Sequence, residues 1–130
     1  MKIQKYTPAD AEELFALIER EGDEWEYWQG DNPAKYKALL SQSITYLAFD
    51  GETLCGYILA HDNGGFGIYI YDLLVDRAHR GKQYGKHLIN RLCQDHPAAN
   101  IYVMSDVDEY YQKQGFKKAG SIFMVAKSNY

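Results

Sequence analysis

Apolar positions recur along this chain at two spacings, every second residue in some stretches and every third or fourth in others. Leu14, Phe15, Leu17 and Ile18 form an apolar face at helical spacing. Ahead of them, Thr7-Pro8-Ala9-Asp10 supplies a capping residue and a proline suited to the first helical position. Gly22 ends that helix. Asp31-Asn32-Pro33 opens a second helix through roughly Ser41, with Tyr36, Leu39 and Leu40 facing inward. Tyr84, Leu88 and Leu92, flanked by Ile89 and Cys93, mark a third from about Lys82 to Gln94. Asp108 to Gln114 is a short fourth, stopped by Gly115.

The strand-like stretches fall between these helices. Lys2 to Tyr6 is a short first strand, and Ser43–Phe49 and Leu54–His61 form a hairpin around Asp50-Gly51-Glu52-Thr53. Asn63-Gly64-Gly65 turns the chain into a strand from Gly67 to Val75. Ile101 to Met104 is another strand, and Phe116 onward returns as one or two more through Val125. Hairpins combined with at least one βαβ crossover predict an α/β (α+β) fold. Its sheet is mixed and mostly antiparallel, with six or seven strands and about four flanking helices. At 130 residues, with no repeat or linker, the expectation is a single domain over 1–130.

A net charge of −4 argues against a nucleic-acid partner held by phosphate attraction. The positive charge is local: Arg77, His79, Arg80, Lys82, Lys86 and His87 crowd together. No apolar run reaches the length of a membrane span, and the polar N-terminus does not read as a signal peptide. Cys55 and Cys93, without CxxC spacing, read as reduced, buried thiols of a cytoplasmic protein. His61, His79, His87 and His96 lack metal-like spacing, so no metal is expected.

The run Ile70-Tyr71-Asp72-Leu73-Leu74-Val75 ends in Arg80-Gly81-Lys82-Gln83-Tyr84-Gly85, where the third helix begins. A strand feeding a basic glycine turn and then a helix aims several backbone N–H groups, and the positive end of the helix dipole, at one point. A phosphate binds such a point. The spacing Val75-x-x-x-x-Arg80-Gly81-x-x-x-Gly85 resembles the acyl-CoA pyrophosphate loop of the GNAT superfamily, the acetyl-CoA-dependent N-acetyltransferases. That loop reads Arg/Gln-x-x-Gly-x-Gly/Ala. Here Gln83 stands at the first of those glycines, and Arg77 stands where the family usually carries Pro. Gln83 keeps its backbone donor and is tolerated if position 83 is helical. A second segment, Tyr110-Tyr111-Gln112-Lys113-Gln114-Gly115-Phe116, is similar to the family's Phe-Tyr-x-x-x-Gly-Phe.

The resemblance implies a GNAT-like acyl-CoA N-acyltransferase fold and roles for particular residues. Arg80, Gly81, Lys82, Gln83, Tyr84 and Gly85, with Lys86, would hold the pyrophosphate of acetyl-CoA, mostly by main-chain donors. The backbone of Leu73, Leu74 and Val75 would pair with the pantetheine arm and steady the thioester carbonyl. Tyr111 matches the tyrosine that protonates the leaving thiolate. The Asn that the family places about seven residues earlier is replaced by Met104. Asp72 is the leading candidate for a general base, and an equal case makes it a carboxylate hydrogen-bonded to its neighbours. Glu24, Trp25, Glu26 and Trp28, with Asp23 and Tyr27 beside them, suit a cationic acceptor by charge and cation–π contact.

The function so implied is transfer of acetyl from acetyl-CoA to a primary amine, by direct attack in a ternary complex. A small cationic amine and a peptide or protein amine both fit as acceptor. The alternative is a non-catalytic acyl-CoA-binding or regulatory module of the same fold. Exposed aromatic residues such as Trp25 and Trp28 leave a homodimer open.

Overall fold

The computed structural model describes residues 1–129. Five strands lie side by side in sequence order: β1 (Lys2–Lys5), β2 (Ile44–Asp50), β3 (Thr53–Asp62), β4 (Ile68–Val75) and β5 (Ile101–Val103). The first three pairings are antiparallel and the last, β4 with β5, is parallel. The sheet is therefore mixed and mostly antiparallel, as the element order predicts. Helices α1 (Ala11–Glu21) and α2 (Asn32–Gln42) fall between β1 and β2. Helix α3 (Tyr84–Asp95) is the crossover that a parallel pair requires. Helix α4 (Asp108–Lys113) follows β5.

Local chemistry at both ends of α1 follows what the sequence indicates, with a 3₁₀ turn over Pro8–Asp10 ahead of the helix. The Thr7 N–H donates to the Asp10 carboxylate at 2.9 Å, holding the short 3₁₀ turn that leads into α1. Gly22 ends α1 with a φ of 111°, which glycine adopts freely. No helix among the described residues is long and apolar enough to cross a membrane.

Two cores lie on opposite faces of the sheet. Leu88, Ile89 and Leu92 of α3 pack on Tyr46, Ile58, Ile68 and Ile70. Leu14, Leu17 and Ile18 of α1, with Tyr36 and Leu40 of α2, pack on Leu47, Tyr57, Leu59 and Leu74. The faces exchange partway along β4. Asp72 pairs with Leu59 while Ile70 pairs with Ala60, so Tyr71 is an extra residue, a β-bulge. Strict alternation would put Asp72 and Leu74 on the face of Ile68 and Ile70. The bulge turns them to the α1/α2 side and leaves Leu73 and Val75 facing α3.

Four expectations need correction. The sheet has five strands, not six or seven, because residues 116–126 form no ladder and run along the surface. Helix α3 begins at Tyr84, two residues after the predicted Lys82. Leu39 is exposed at 43%, since only Tyr36 and Leu40 of α2 reach the sheet. Cys55 is buried but Cys93 is exposed.

Candidate active site

The parallel pairing is short, and its early end opens the site. Ile68, Tyr69 and Ile70 pair with Ile101, Tyr102 and Val103, and the Met104 N–H then donates to the Ile70 carbonyl at 2.9 Å. Beyond Ile70, β4 stays laddered to β3 through Val75 but has no strand on its other side among the described residues. Leu73, Leu74 and Val75 thus lie along an open edge, in the wall of a groove of about 1070 Å³. Arg80, Gly81, Gln83, Tyr84 and Gly85 continue that wall, and Tyr110 and Tyr111 of α4 face it.

The turn after β4 presents unpaired donors. Arg80 N–H donates to Arg77 O, and the next backbone amide with an acceptor in the chain is that of His87, which donates to Gln83 O at 3.0 Å. The six amides from Gly81 to Lys86 have no acceptor among the described residues. The last three are the orphan donors of the first turn of α3, where the helix dipole is positive. Gln83 has a φ of 72°, the only non-glycine residue with positive φ among those described. Its geometry is therefore left-handed, not helical as the sequence reading required. That is the conformation for which a glycine would be the easy choice.

Side chains fix the shape of this turn. Arg80 Nε donates to the Val75 carbonyl at 3.0 Å, and its Nη2 donates to Glu21 Oε1 at 2.7 Å. Glu21, at the end of α1, also lies 3.6 Å from Arg77. His79 is bracketed by Asp76 at 3.2 Å and Asp50 at 3.4 Å. Much of the basic cluster is thus neutralised within the chain, whereas Lys82 and Lys86 make no ion pair among the described residues. Tyr84 turns its ring into the core at 7% exposure, so only its main chain serves the turn. Gly85 keeps the groove open: a Cβ there would meet Tyr110 Oη at 3.5 Å and Val75 Cγ2 at 3.8 Å.

The two tyrosines of α4 differ. Tyr111 stacks on Phe116 with centroids 5.7 Å apart and packs against the α3-side core. Burial, then the charges of Tyr110 and Asp106, push its phenol up to about 12. Tyr110 is half exposed and points its hydroxyl at Gly85. Tyr110 has no assigned role in the sequence motif, although its place beside Tyr111 on a short helix is a usable signal.

Across β4, Asp72 is 8% exposed and accepts hydrogen bonds from Tyr27 at 2.7 Å and Tyr36 at 2.8 Å. Tyr36 also bonds the Tyr57 hydroxyl at 2.8 Å, and the Tyr27 and Tyr36 rings stack 3.9 Å apart. Burial raises the Asp72 carboxyl above the usual carboxylate range, and the two phenols act against that rise. The same burial, with the neighbouring anion, holds the Tyr27 and Tyr36 phenols above their ordinary values. Of the acidic aromatic loop, only Trp25 reaches the groove wall. Glu24 and Glu26 are exposed and lie outside it, and Trp28 anchors the loop through Nε1 to Gly22 O at 3.2 Å. Nothing in the sequence marked Tyr27 and Tyr36 as partners of Asp72, because the bulge that brings them together is a tertiary feature.

The family model for the GNAT acetyltransferase family matches residues 10–116, and the chain belongs to that family. No curated protein sequence matches it. Among solved structures, a GNAT-family acetyltransferase from Streptococcus pneumoniae is similar at 20% identity and a TM-score of 0.71, covering 96% of each chain. An aminoglycoside 6'-N-acetyltransferase complexed with coenzyme A has 22% identity and a TM-score of 0.74, covering 92% of this chain and 87% of that one. A ribosomal-protein-alanine N-acetyltransferase from Brucella melitensis has 17% identity and a TM-score of 0.75, covering 96% and 99%. At these identities the structural likeness establishes the fold.

Proposed function

We propose that this chain is an N-acetyltransferase that moves acetyl from acetyl-CoA to a primary amine, by direct attack in a ternary complex. The observation that carries this is the run of six unpaired amides, Gly81 to Lys86, beside the open edge of β4. That arrangement fits a pyrophosphate with an extended arm running away from it. Arg80 to Lys86 would hold the diphosphate, and the open backbone of Leu73 to Val75 would hold the pantetheine amides. The empty Cβ position of Gly85 leaves room for the arm to pass.

Acetyl-CoA, when bound, supplies the activated acyl group, and the chain's own groups supply proton management. A phenol raised to about 12 stays protonated at neutral pH, so Tyr111 keeps a proton available to a leaving sulfur. Asp72 would act as base at a distance, since Tyr27 and Tyr36 cover it and none of the three lines the groove: the ammonium's proton would pass to water, and as the Tyr27 oxygen takes a proton from that water its own proton would pass to Asp72 Oδ1. The acceptor class is a cationic amine, small or on a peptide. The aminoglycoside and ribosomal-protein enzymes of the same fold carry names of both kinds. Trp25 would meet it at the groove, and the exposed Glu24 and Glu26 would attract it at longer range. A KM that rises with ionic strength is the sign of that attraction; one that stays flat removes the two glutamates from the site.

The seclusion of Asp72 behind two phenols favours a second reading, an acyl-CoA-binding module without turnover. Release of coenzyme A thiol from acetyl-CoA, measured over a panel of amines, decides between them. Amine-dependent release supports the enzyme. Binding of coenzyme A with no release for any amine supports the module.

A further inference from the structure

Glu21 lines the same groove as the donors of the turn, with its side chain only 14% exposed. A carboxylate beside a seat for a diphosphate is an electrostatic cost that anion binding by the turn does not call for. Its contacts account for it. Oε1 accepts from Arg80 Nη2 at 2.7 Å while Arg80 Nε donates to the Val75 carbonyl at 3.0 Å, so one guanidinium ties the end of β4 to the end of α1. Arg77 lies 3.6 Å from Oε2 and donates through Nη2 to the Glu21 carbonyl at 3.3 Å, a cation at the negative end of the α1 dipole. The next residue carries the acceptor loop. The Gly22 carbonyl accepts from Trp25 N–H at 3.1 Å and from Trp28 Nε1 at 3.2 Å, and Trp25 in turn reaches the groove.

We propose that Glu21 is the positioning residue that joins the diphosphate turn to the acceptor loop, so that seating coenzyme A on the turn also settles Trp28 and Trp25; this role rests on the acetyl-CoA reading. Two arginines of the turn hold Glu21 by its side chain and by its carbonyl. The following peptide bears the carbonyl from which the loop hangs, so a shift of the turn moves the loop. By linkage, what steadies the one steadies the other. The sign of one effect separates this role from plain electrostatics. If Glu21 only added negative charge, its loss would free two guanidinium groups to attract the diphosphate, and coenzyme A would bind more tightly. If Glu21 positions the turn, its loss lets Arg80 swing and the amides lose their common aim. Coenzyme A then binds more weakly, although the net charge has become more favourable.

Glu21→Gln keeps the shape of the side chain and removes its charge. Calorimetry on the full chain should show coenzyme A bound about tenfold more weakly, with circular dichroism unchanged. The loop is read by fluorescence. The chain has two tryptophans, so in a Trp25→Phe background Trp28, which lies outside the groove, reports alone. Coenzyme A, saturating for each variant, should change the Trp28 emission when Glu21 is present and leave it unchanged in Glu21→Gln. Arg80→Gln breaks the same bond from its other end and should give both results independently. The two substitutions together should weaken binding no more than the worse of the singles, as befits two ends of one link. Equal or tighter binding by Glu21→Gln overturns the proposal and leaves the acetyl-CoA reading intact. So does a Trp28 that is silent with Glu21 present, a Trp28 response that survives its loss, or additive losses in the double variant. A parent that binds no coenzyme A removes that reading, and the role of Glu21 with it.

Discussion

The two sides of β4 solve opposite problems with opposite means. Toward α3 the chain leaves main-chain donors without an acceptor among the described residues, six in a row from Gly81 to Lys86. Toward α1 and α2 it buries a carboxylate and satisfies it with the phenols of Tyr27 and Tyr36. Unpaired donors at an open groove are cheap because water serves them until a ligand arrives. A buried anion is costly unless it is bonded, and the Asp72 cluster is bonded throughout. The first side is shaped to receive something. The second is shaped to hold the loop from Asp23 to Gly30 against the sheet, with Trp25 at its edge.

The largest expected effect is on the open side. Gly81 has a φ of 80° and no atom within 4 Å of its missing Cβ. Gly81→Glu would fit sterically but would add an anion where a diphosphate should sit, on a backbone that is strained for any side chain. Coenzyme A at a hundredfold excess over Kd should stabilise the parent by roughly 2.7 kcal/mol. A thermal-shift assay should show that gain in the parent and none in Gly81→Glu, with circular dichroism unchanged. An equal shift in both would move the binding site away from the turn.

That side was legible in the sequence because its determinants are local. Glycine spacing, basic residues and the switch from strand to helix all fall between Ile70 and Leu92. The other side was not legible. Asp72 was recognisable as a buried-strand carboxylate, but its partners depend on the bulge at Tyr71. A one-residue slip in register changes which helices a side chain meets, and alternation alone would have pointed Asp72 at α3. The missing sixth strand has a similar cause. Phe116 to Val125 carries the apolar pattern of a strand, and pattern does not supply a partner to pair with.

On the boundary between the two regions, Tyr111→Phe should lower kcat at least tenfold, about 1.4 kcal/mol of barrier. Affinity for coenzyme A should be nearly unchanged. A phenol raised to about 12 does not ionise near neutrality, so the loss should be constant from about pH 6 to about pH 9. Tyr110→Phe is the control that sharpens this, since its hydroxyl points at Gly85. If Tyr110→Phe lost the rate and Tyr111→Phe kept it, the proton donor would be Tyr110.

On the paired side the test is pH dependence. Asp72 is raised in the folded state, chiefly by burial. A raised carboxyl lends stability below its unfolded value, near 3.8, and that stability is lost as pH climbs through the folded value. Asp72→Asn stays neutral throughout. The melting-temperature advantage of the parent over Asp72→Asn should therefore shrink as pH rises above the unfolded value near 3.8 and through the higher folded one. If the advantage grew instead, the two phenols would outweigh burial, and the carboxylate would be a net anchor in its charged form.

The smallest effect lies within the turn itself. Gln83 holds a left-handed conformation that costs a residue with a Cβ roughly 1–2 kcal/mol. Glycine at this position removes that cost but loses roughly 0.5–1 kcal/mol of extra chain entropy on folding. The two terms oppose each other, and the strain term is the larger. Gln83→Gly should therefore stabilise the fold by up to about 1.5 kcal/mol, read as a higher urea midpoint at unchanged slope. Affinity for coenzyme A should hardly move, because the residue contributes its N–H, which glycine retains. A lower midpoint would mean that the Gln83 side chain supports the turn by contacts worth more than the strain. The unpaired side of β4 would then be built partly by side chains, and its contrast with the Asp72 side would narrow.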